Sequence, residues 1–209
     1  MKIAIDLDKT LFNCKSVIYE IMAVADRLMP VRNTKPKIFT KEDKDYLPSK
    51  YRKLFGKIGD PELYEEIDGS VEMVNKLAAK GHTVCFLSSR PNMRTMNHVV
   101  LNWLEKHKVN YDFVVVNCSD KAKFCEQHGI SVLIDDSMKN CKHANEAGIN
   151  SILLDTKQKY DLTKEKYARR KGFYSAKSWE EVGQTIKKIE KEEKSSTAEL
   201  EENQETMGL

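Results

Sequence analysis

The sequence predicts an α/β fold in which a Rossmann-like parallel sheet of about five strands is flanked by helices. Short apolar runs rich in β-branched residues recur between residues 2 and 154. These runs are apolar at nearly every position, as in strands that are buried on both faces, instead of alternating with polar residues. Segments with helical spacing of apolar residues separate most of the runs. This alternation is typical of a parallel sheet built with right-handed crossover helices.

The first strand begins at Lys2 and breaks into two acids, Asp6 and Asp8, followed by Thr10. Residues i and i+2 of an extended segment point to the same side, so both carboxylates can face one small volume beyond the strand. Carboxylates that close repel each other, and burial would force one of them to bind a proton unless a cation lies between them. An oxygen-rich site of this kind suits Mg²⁺ better than zinc. The alternative is that Asp8 only opens a turn and that Thr10 caps the next segment.

Residues 13–68 separate the first strand from the next regular segment and predict a small, mostly helical cap inserted after that strand. Apolar residues spaced by three and four between Val17 and Leu28 indicate a helix. From Lys37 to Ile67 the chain is polar and weakly helical, with aromatic residues among lysines and arginines and no clear strand. We expect this cap to stand over the end of the first strand.

Regular alternation of helices and strands resumes at Asp68-Gly69, with a helix from Ser70. Gly81 and Gly129 follow two of the helices, at the position where a left-handed residue commonly ends a helix, and Asp120 can cap the start of another. The predicted order is helix 70–80, strand 83–87, helix 93–106, strand 113–116, helix 121–128, strand 131–134, a helix that ends at Gly148, and strand 151–154.

The C-terminal part begins with a basic stretch, Lys157 to Tyr174, that follows no clear pattern. Ser-Trp-Glu-Glu at residues 178–181 is a capping box and predicts a last helix that continues through Ile189. Beyond this helix Ser, Thr and Glu dominate with few apolar residues, which predicts a disordered acidic tail. The predicted domains are a core of residues 1–12 and 69–190, the cap of residues 13–68, and the tail of residues 191–209.

Composition argues against several other classes of protein. The 209 residues contain no apolar stretch near the roughly 20 residues that cross a bilayer, and the N-terminus lacks the layout of a signal peptide, so we expect a cytoplasmic protein without a membrane partner. The five cysteines include no Cys-x-x-Cys pair, so reduced thiols are expected and a zinc site is not. The net charge is only +3, and the basic residues between Arg27 and Lys57 are too sparse to demand a nucleic acid polymer as partner.

Polar residues also end other predicted strands. Parallel α/β sheets bind ligands just outside the carboxyl ends of their strands. Turn chemistry explains one such ending, but it does not readily explain three in one chain. The residues that follow the second and fourth strands, together with a lysine that opens the helix before the fourth, are Ser88, Ser89, Arg90, Asp135, Asp136 and Lys121.

These positions together resemble the four motifs of the haloacid-dehalogenase-like phosphohydrolase superfamily. That superfamily has Asp-x-Asp-x-Thr on its first strand, a Ser or Thr after the second, a Lys before the fourth, and paired acids at the end of the fourth. The resemblance covers residues 1 to about 155 and implies a Mg²⁺-dependent phosphate ester hydrolase. The matching residues of this chain occur in the same order: Asp6, Asp8 and Thr10, then Ser88, then Lys121, then Asp135 with Asp136.

The resemblance implies a role for each of these residues. Asp6 would be the nucleophile that forms an aspartyl-phosphate, and Asp8 would be the general acid and base. Asp6, the backbone carbonyl of Asp8 and Asp135 would hold Mg²⁺. The residues that would bind phosphoryl oxygens or support the site are Ser88, Lys121, Thr10, Asp136 and Arg90.

Three of these positions have alternatives. Ser88 could be only a helix cap, with Ser89 in its place at the phosphate. Lys123 lies two residues from Lys121 and could replace it, although on a helix it would point elsewhere. Arg90 resembles the Ser-x-Arg ending of some superfamily members, but an arginine near the edge of a sheet is often solvated or ion-paired. The five histidines show no ligand spacing and receive no role.

The length and position of the predicted cap bear on the class of substrate. A segment of about 55 residues between the first two motifs resembles the helical cap of the 5′(3′)-deoxyribonucleotidases and their bacterial relatives, which implies a (deoxy)nucleoside monophosphate as substrate. Aromatic residues among cations suit a nucleotide, or they form the core of the cap itself. The chain departs from the animal enzymes at Lys9 and at Ser88-Ser89-Arg90. The alternatives are a phosphatase of sugar phosphates or another small metabolite, and a non-catalytic nucleotide-binding regulatory module.

Overall fold

The structure, a computed structural model, describes residues 1–14, 35–43, 64–92, 94–163 and 166–207. The helix predicted between Val17 and Leu28 lies outside these residues. The strands are β1 (Lys2–Ile5), β2 (Phe12–Cys14), β3 (Lys37–Thr40), β4 (Tyr64–Glu66), β5 (Thr83–Leu87), β6 (Phe113–Val116), β7 (Val132–Asp135), β8 (Asn150–Leu154) and β9 (Phe173–Ala176). The helices are α1 (Ser70–Ala79), α2 (Arg94–Lys106), α3 (Lys121–His128), α4 (Met138–Glu146) and α5 (Trp179–Met207), with a short 3₁₀ helix at Lys166–Arg169.

The main sheet has β1 at its centre. Among the described residues, seven strands form this sheet in the order β3-β6-β5-β1-β7-β8-β9, and each neighbouring pair is parallel except β3 with β6. Ile5, at the carboxyl end of β1, lies beside Phe86 of β5 and Ile134 of β7. The residues that follow these three strands therefore meet at one edge of the sheet, where parallel α/β sheets bind ligands.

Helices cover both faces of the sheet and explain why β1 is apolar at every buried position. Ile3 and Ile5 face the apolar cluster that α1, α2 and α5 complete, with Trp103 and Trp179 fully buried in it. Ala4 faces the opposite cluster, to which α3 and α4 contribute. Each fully buried large apolar side chain stabilises the fold by about 1.5–3 kcal/mol, so β1 is held from both sides.

Two strands of the main sheet exceed the five that the sequence predicts. β9 extends the sheet beside β8, and β3 adds an antiparallel edge beside β6. The prediction that Lys37 to Ile67 contains no strand is wrong at β3 and at β4, which pairs with β2. Periodicity missed β3 because an edge strand of four residues buries only Phe39, while Ile38 stays 48% exposed. The division into a core and a helical cap of residues 13–68 stays a prediction, although β3 falls within that interval and joins the core sheet.

The last helix is longer than predicted. Its start is confirmed, since Ser178 Oγ accepts the backbone N–H of Glu181 at 3.2 Å. It continues through Met207, and the disordered acidic tail of residues 191–209 stays a prediction. A low apolar content argues against burial but not against a helix, and no glycine or proline interrupts the good helix formers between Gly183 and Gly208. None of the helices in the described part of the chain combines the length and apolar character needed to cross a membrane.

Candidate active site

A tight loop after β1 positions the first two acids. The backbone N–H of Asp6 donates to the carbonyl of Ile134 at 2.9 Å, so the pairing of β1 with β7 continues up to the first acid. Lys9 has a left-handed backbone with φ 62°, and its N–H donates to the carbonyl of Phe12 at 2.8 Å. These hydrogen bonds turn the chain back immediately after Asp8.

Thr10 joins the ends of β1 and β7. Its side chain is fully buried. Its Oγ1 donates to Asp6 Oδ2 at 3.5 Å and accepts the backbone N–H of Asp136 at 3.1 Å. One hydroxyl therefore connects Asp6 to the turn that carries Asp135 and Asp136. The alternative that Thr10 only caps the next segment does not describe these contacts.

Lys121, the first residue of α3, lies between two buried acids. Its side chain is 3% exposed, and its Nζ donates to Asp6 Oδ1 and, at 2.7 Å, to Asp135 Oδ2. Burial lowers the pKa of this ammonium, but the attraction of the two carboxylates outweighs burial and raises the pKa, so Lys121 stays charged. Lys123 is exposed, as expected for a residue two positions away on a helix. The structure therefore brings Lys121, and not Lys123, to the acids.

The pKa of Asp6 is raised by its surroundings even though the Lys121 ammonium lies beside it. The pKa of the carboxyl is raised to about 7: burial is the largest cause, the Lys121 ammonium opposes it, and the negative charges of Asp135 and Asp8 add to it. A group with this pKa is about half protonated near neutral pH. A second cation beside Asp6 would favour the carboxylate.

The acids fit a metal ion. Asp6, Asp135 and Asp136 each offer one carboxylate oxygen, and these atoms all lie within 4.8 Å of one another. Carboxylate oxygens are the hard ligands that Mg²⁺ prefers. The resemblance implies Asp6, Asp135 and the backbone carbonyl of Asp8 as ligands, whereas this group contains the side chain of Asp136. The pKa of Asp136 is raised by burial and by the charge of Asp135.

Arg90 holds Asp8 with a two-point ion pair. Its Nε donates to Asp8 Oδ2 at 2.6 Å and its Nη2 donates to Asp8 Oδ1 at 2.5 Å. The guanidinium is 3% exposed and lies 5.4 Å from the ring centre of Phe12 and 5.5 Å from that of Tyr64. Planar two-point pairs of this kind fix geometry as well as charge. Arg90 is thus a buried, ion-paired member of the site and not a solvated edge residue.

The two serines after β5 differ in burial. Ser88 is 1% exposed, and its Oγ accepts the backbone N–H of Arg90 at 3.2 Å. It does not cap a helix, because α2 begins only at Arg94. Ser89 is exposed. Since β5 is the parallel neighbour of β1, Ser88 lies at the same edge of the sheet as Asp6.

The chain matches one family model over residues 1–192, and the description of that family is 5′ nucleotidase, deoxy (pyrimidine), cytosolic type C protein. The chain belongs to this family. The resemblance drawn from the motifs is confirmed, and this member of the nucleotidase family is a phosphoric monoester hydrolase of the haloacid-dehalogenase-like type. No curated protein matches the chain significantly.

Solved structures support the same fold. A haloacid-dehalogenase-like phosphatase from Thermococcus onnurineus is 13% identical, with a TM-score of 0.56 over 89% of this chain and 98% of its own. D,D-heptose 1,7-bisphosphate phosphatase from B. bronchiseptica, complexed with magnesium and phosphate, is 12% identical, with a TM-score of 0.56 over 90% of this chain and 99% of its own. A haloacid-dehalogenase-like hydrolase from Xanthomonas campestris is 14% identical, with a TM-score of 0.53 over 90% of this chain and 91% of its own. At these identities the likeness shows the α/β fold with a mostly parallel sheet that the sequence predicts.

Two residues that support the candidate site were not predicted from the sequence. Asn140 Nδ2 donates to Asp135 Oδ2 at 2.9 Å, on the oxygen that also accepts from Lys121. Trp179 Nε1 donates to the carbonyl of Thr10 at 3.0 Å from the far end of the chain. A signal existed for Asn140, since the first turns of a helix that follows a strand face back toward the end of the strand. None existed for Trp179, whose spacing indicates only a core position.

We expect Trp179→Phe to lower kcat about three- to tenfold while KM changes little. The variant keeps an aromatic ring in the core but removes the N–H that binds the Thr10 carbonyl, so the loop that carries Asp6 and Asp8 loses one of its hydrogen bonds. The matched control is Trp103→Phe, which also removes a buried indole N–H, in that case donated to the carbonyl of Tyr64 at 3.0 Å. Steady-state kinetics and thermal unfolding of both variants check the prediction. Equal losses of kcat at equal losses of stability would contradict a positioning role for Trp179.

Proposed function

We propose that this nucleotidase-family protein is a Mg²⁺-dependent 5′-nucleotidase that hydrolyses (deoxy)nucleoside monophosphates through an aspartyl-phosphate on Asp6. The observation that carries the proposal is the convergence of Asp6, Lys121 and Asp135 at the centre of the sheet, where one buried ammonium lies between two buried carboxylates. Such groups shift each other's protonation and are typical of catalytic centres.

The metal ligands in this proposal are Asp6, Asp135 and the backbone carbonyl of Asp8, with Asp136 close enough to join them. Bound Mg²⁺ would reduce the repulsion between the Asp6 carboxylate and the phosphate and would stabilise negative charge on the phosphoryl group. Thr10 and Asn140 orient two of the ligands through the hydrogen bonds described above.

The chemistry follows from the remaining groups. A carboxylate oxygen of Asp6 attacks phosphorus while the bond from phosphorus to the ester oxygen breaks, and Asp8 gives a proton to that oxygen. Asp8 then takes a proton from water, whose oxygen attacks the aspartyl-phosphate and releases inorganic phosphate and free Asp6. Lys121 and Ser88 bind phosphoryl oxygens, and the Lys121 ammonium offsets their charge.

Arg90 orients Asp8 in both steps. The ion pair occupies both carboxylate oxygens of Asp8. Each oxygen keeps a second lone pair, and the ion pair fixes the direction in which that lone pair can exchange a proton with the leaving group. In this proposal Arg90 is a positioning residue that sets the direction of the Asp8 carboxyl.

A panel of phosphate esters with Mg²⁺ and with a chelator tests the function. We expect (deoxy)nucleoside 5′-monophosphates to give a kcat/KM at least about tenfold above sugar phosphates, and we expect turnover to disappear when the metal is removed. Preference for sugar phosphates would make the protein a phosphatase of another metabolite class. Nucleotide binding without any turnover would make it a regulatory module.

The raised pKa of Asp6 predicts a pH-dependent effect of Mg²⁺ on stability. In the metal-free protein the folded state binds the Asp6 proton more tightly than the unfolded state, so this group makes the free energy of unfolding fall as pH rises from about 4 to about 7. Mg²⁺ binds the carboxylate, so it has to displace the proton below pH 7 and not above. We expect Mg²⁺ to raise Tm more at pH 7.5 than at pH 5, and the Asp6→Asn variant to lose most of that difference. Equal Tm shifts at both pH values would contradict the assignment of Asp6 as a ligand.

A further inference from the structure

A small cavity rich in lysine adjoins the acidic group. Its volume is about 190 Å³. The loop after β1 and the segment after β8 form its walls, so its two sides are more than 140 residues apart in the chain. The polar residues that line it are Lys9, Asn13, Asp136, Thr156, Lys157 and Lys159.

The cavity shares Asp136 with the candidate active site. One oxygen of Asp136 lies within 4.8 Å of carboxylate oxygens of Asp6 and Asp135, and the same residue lines the cavity. A group in the cavity and a phosphate at Asp6 would therefore both lie beside Asp136, as two parts of one small substrate can.

The cavity carries an excess of positive charge. Among the described residues that line it, three are lysines and the only carboxylate is Asp136. Lys159 Nζ lies 3.5 Å from Asp136 Oδ2. The positive charge of Lys9 also acts on Asp136 and lowers its pKa, against the larger effect of burial. Ammonium groups gathered around one concave space attract an anion.

On both walls the backbone that carries the lysines is ordered. Asp155 is 6% exposed, and its carboxylate accepts the backbone N–H groups of Lys159 at 2.8 Å and Tyr160 at 3.0 Å. Its backbone carbonyl accepts the N–H of Gln158 at 3.0 Å. On the other wall, Lys9 is held in a left-handed conformation that a lysine rarely adopts. Backbone segments that are already ordered cost less conformational entropy when a ligand binds.

We propose that this lysine cavity binds a second phosphate of the substrate, so that the preferred substrates are phosphate esters that carry another phosphate besides the one hydrolysed at Asp6. The inference rests on the phosphate-ester hydrolysis at Asp6 in the proposed function and extends the substrates from monophosphates to esters with a second phosphate. A phosphate group carries a charge of about −1.5 to −2 near neutral pH, which suits a site with three ammonium groups better than a single carboxylate does. The basic segment that begins at Lys157, whose sequence follows no clear pattern, thereby gains a binding role.

The test compares pairs of substrates that differ by one phosphate. The pairs are thymidine 5′-monophosphate with thymidine 3′,5′-bisphosphate, and fructose 6-phosphate with fructose 1,6-bisphosphate. The quantity measured is the ratio of kcat/KM for the bisphosphate to that for the monophosphate. For the wild type we expect a ratio of about ten or more in at least one pair, and the pair that shows it identifies the nucleotide or the sugar as the source of the second phosphate.

The variant is K157A/K159A, which changes two exposed side chains and spares the loop of Asp6. We expect the ratio to fall to about one or two, and the wild-type ratio to shrink at high salt because exposed charges are screened. The matched control is K187A/K191A, two exposed lysines on α5, which should keep the wild-type ratio. A wild-type ratio near one in both pairs, or a high ratio that survives in K157A/K159A, would overturn the proposal. A lack of Mg²⁺-dependent phosphate release from every substrate, including p-nitrophenyl phosphate, would instead remove the proposed function and this proposal with it.

Discussion

Replacement of Asp6 by Asn is expected to lower kcat by at least about 1,000-fold, since it removes the oxygen nucleophile while keeping the size of the side chain. Asn cannot form an acyl-phosphate, so both steps of the proposed reaction stop. Binding should persist, because Lys121, Ser88 and Asp135 remain in place to hold phosphate.

Three measurements check this result. Steady-state turnover of p-nitrophenyl phosphate gives the loss in rate, and equilibrium binding of a nucleotide shows that the site is still formed. Acid quenching followed by mass spectrometry should find one added phosphoryl group on Asp6 in the wild type and none in the variant. The matched control is Asp161→Asn, which makes the same chemical change at an exposed position. Turnover of the aryl phosphate that survives in Asp6→Asn would rule out the aspartyl-phosphate mechanism.

Replacement of Lys121 by Met is expected to have the second largest effect, on both stability and rate. It leaves Asp6 and Asp135 buried, at 6% and 1% exposure, without the ammonium between them. Removal of one partner from a buried ion pair costs about 3–5 kcal/mol, so we expect the metal-free variant to lose at least about 3 kcal/mol of its free energy of unfolding. We expect kcat/KM to fall at least about 100-fold, because the positive charge at the phosphoryl oxygens is lost as well.

Lys123→Met is the matched control, because it makes the same change on the same helix at an exposed position. Denaturant unfolding with and without Mg²⁺ should show that the metal recovers part of the stability lost in Lys121→Met, since a cation near Asp6 and Asp135 replaces some of the missing charge. Kinetics on the same samples give the loss in rate. An active Lys121→Met beside an inactive Lys123→Met would show that the wrong lysine had been assigned.

The acidic residues of the candidate site illustrate what local sequence patterns can predict. Asp6 and Asp8 could be predicted as one group because two residues on an extended segment share a side, and Asp135 could be added because parallel strands end at the same edge of a sheet. The structure places Asp6 and Asp135 together with Lys121. Asp8 keeps a different partner, Arg90, and the sequence left open whether that arginine is solvated or paired.

The cap region shows where local patterns fail. The pattern after Lys37 lacks the alternation that marks a half-buried strand, because β3 buries a single aromatic residue on an edge. Its pairing with β6 depends on a chain segment more than 70 residues away. Propensity and periodicity describe neighbours along the chain, so such a pairing is invisible to them.

The α/β architecture could be predicted from the amino-acid sequence, because strands buried on both faces and helices differ in the local spacing of their apolar residues. The acids could be predicted as well, because they follow directly after such strands. Three-dimensional packing was needed to show which lysine lies between Asp6 and Asp135, that Arg90 binds Asp8, that Trp179 donates to Thr10, and that Lys9, Lys157 and Lys159 line one cavity. These contacts join residues that lie from 14 to 169 positions apart. They depend on the direction of individual side chains across a packed interior, and no local pattern of apolar and polar residues encodes that direction.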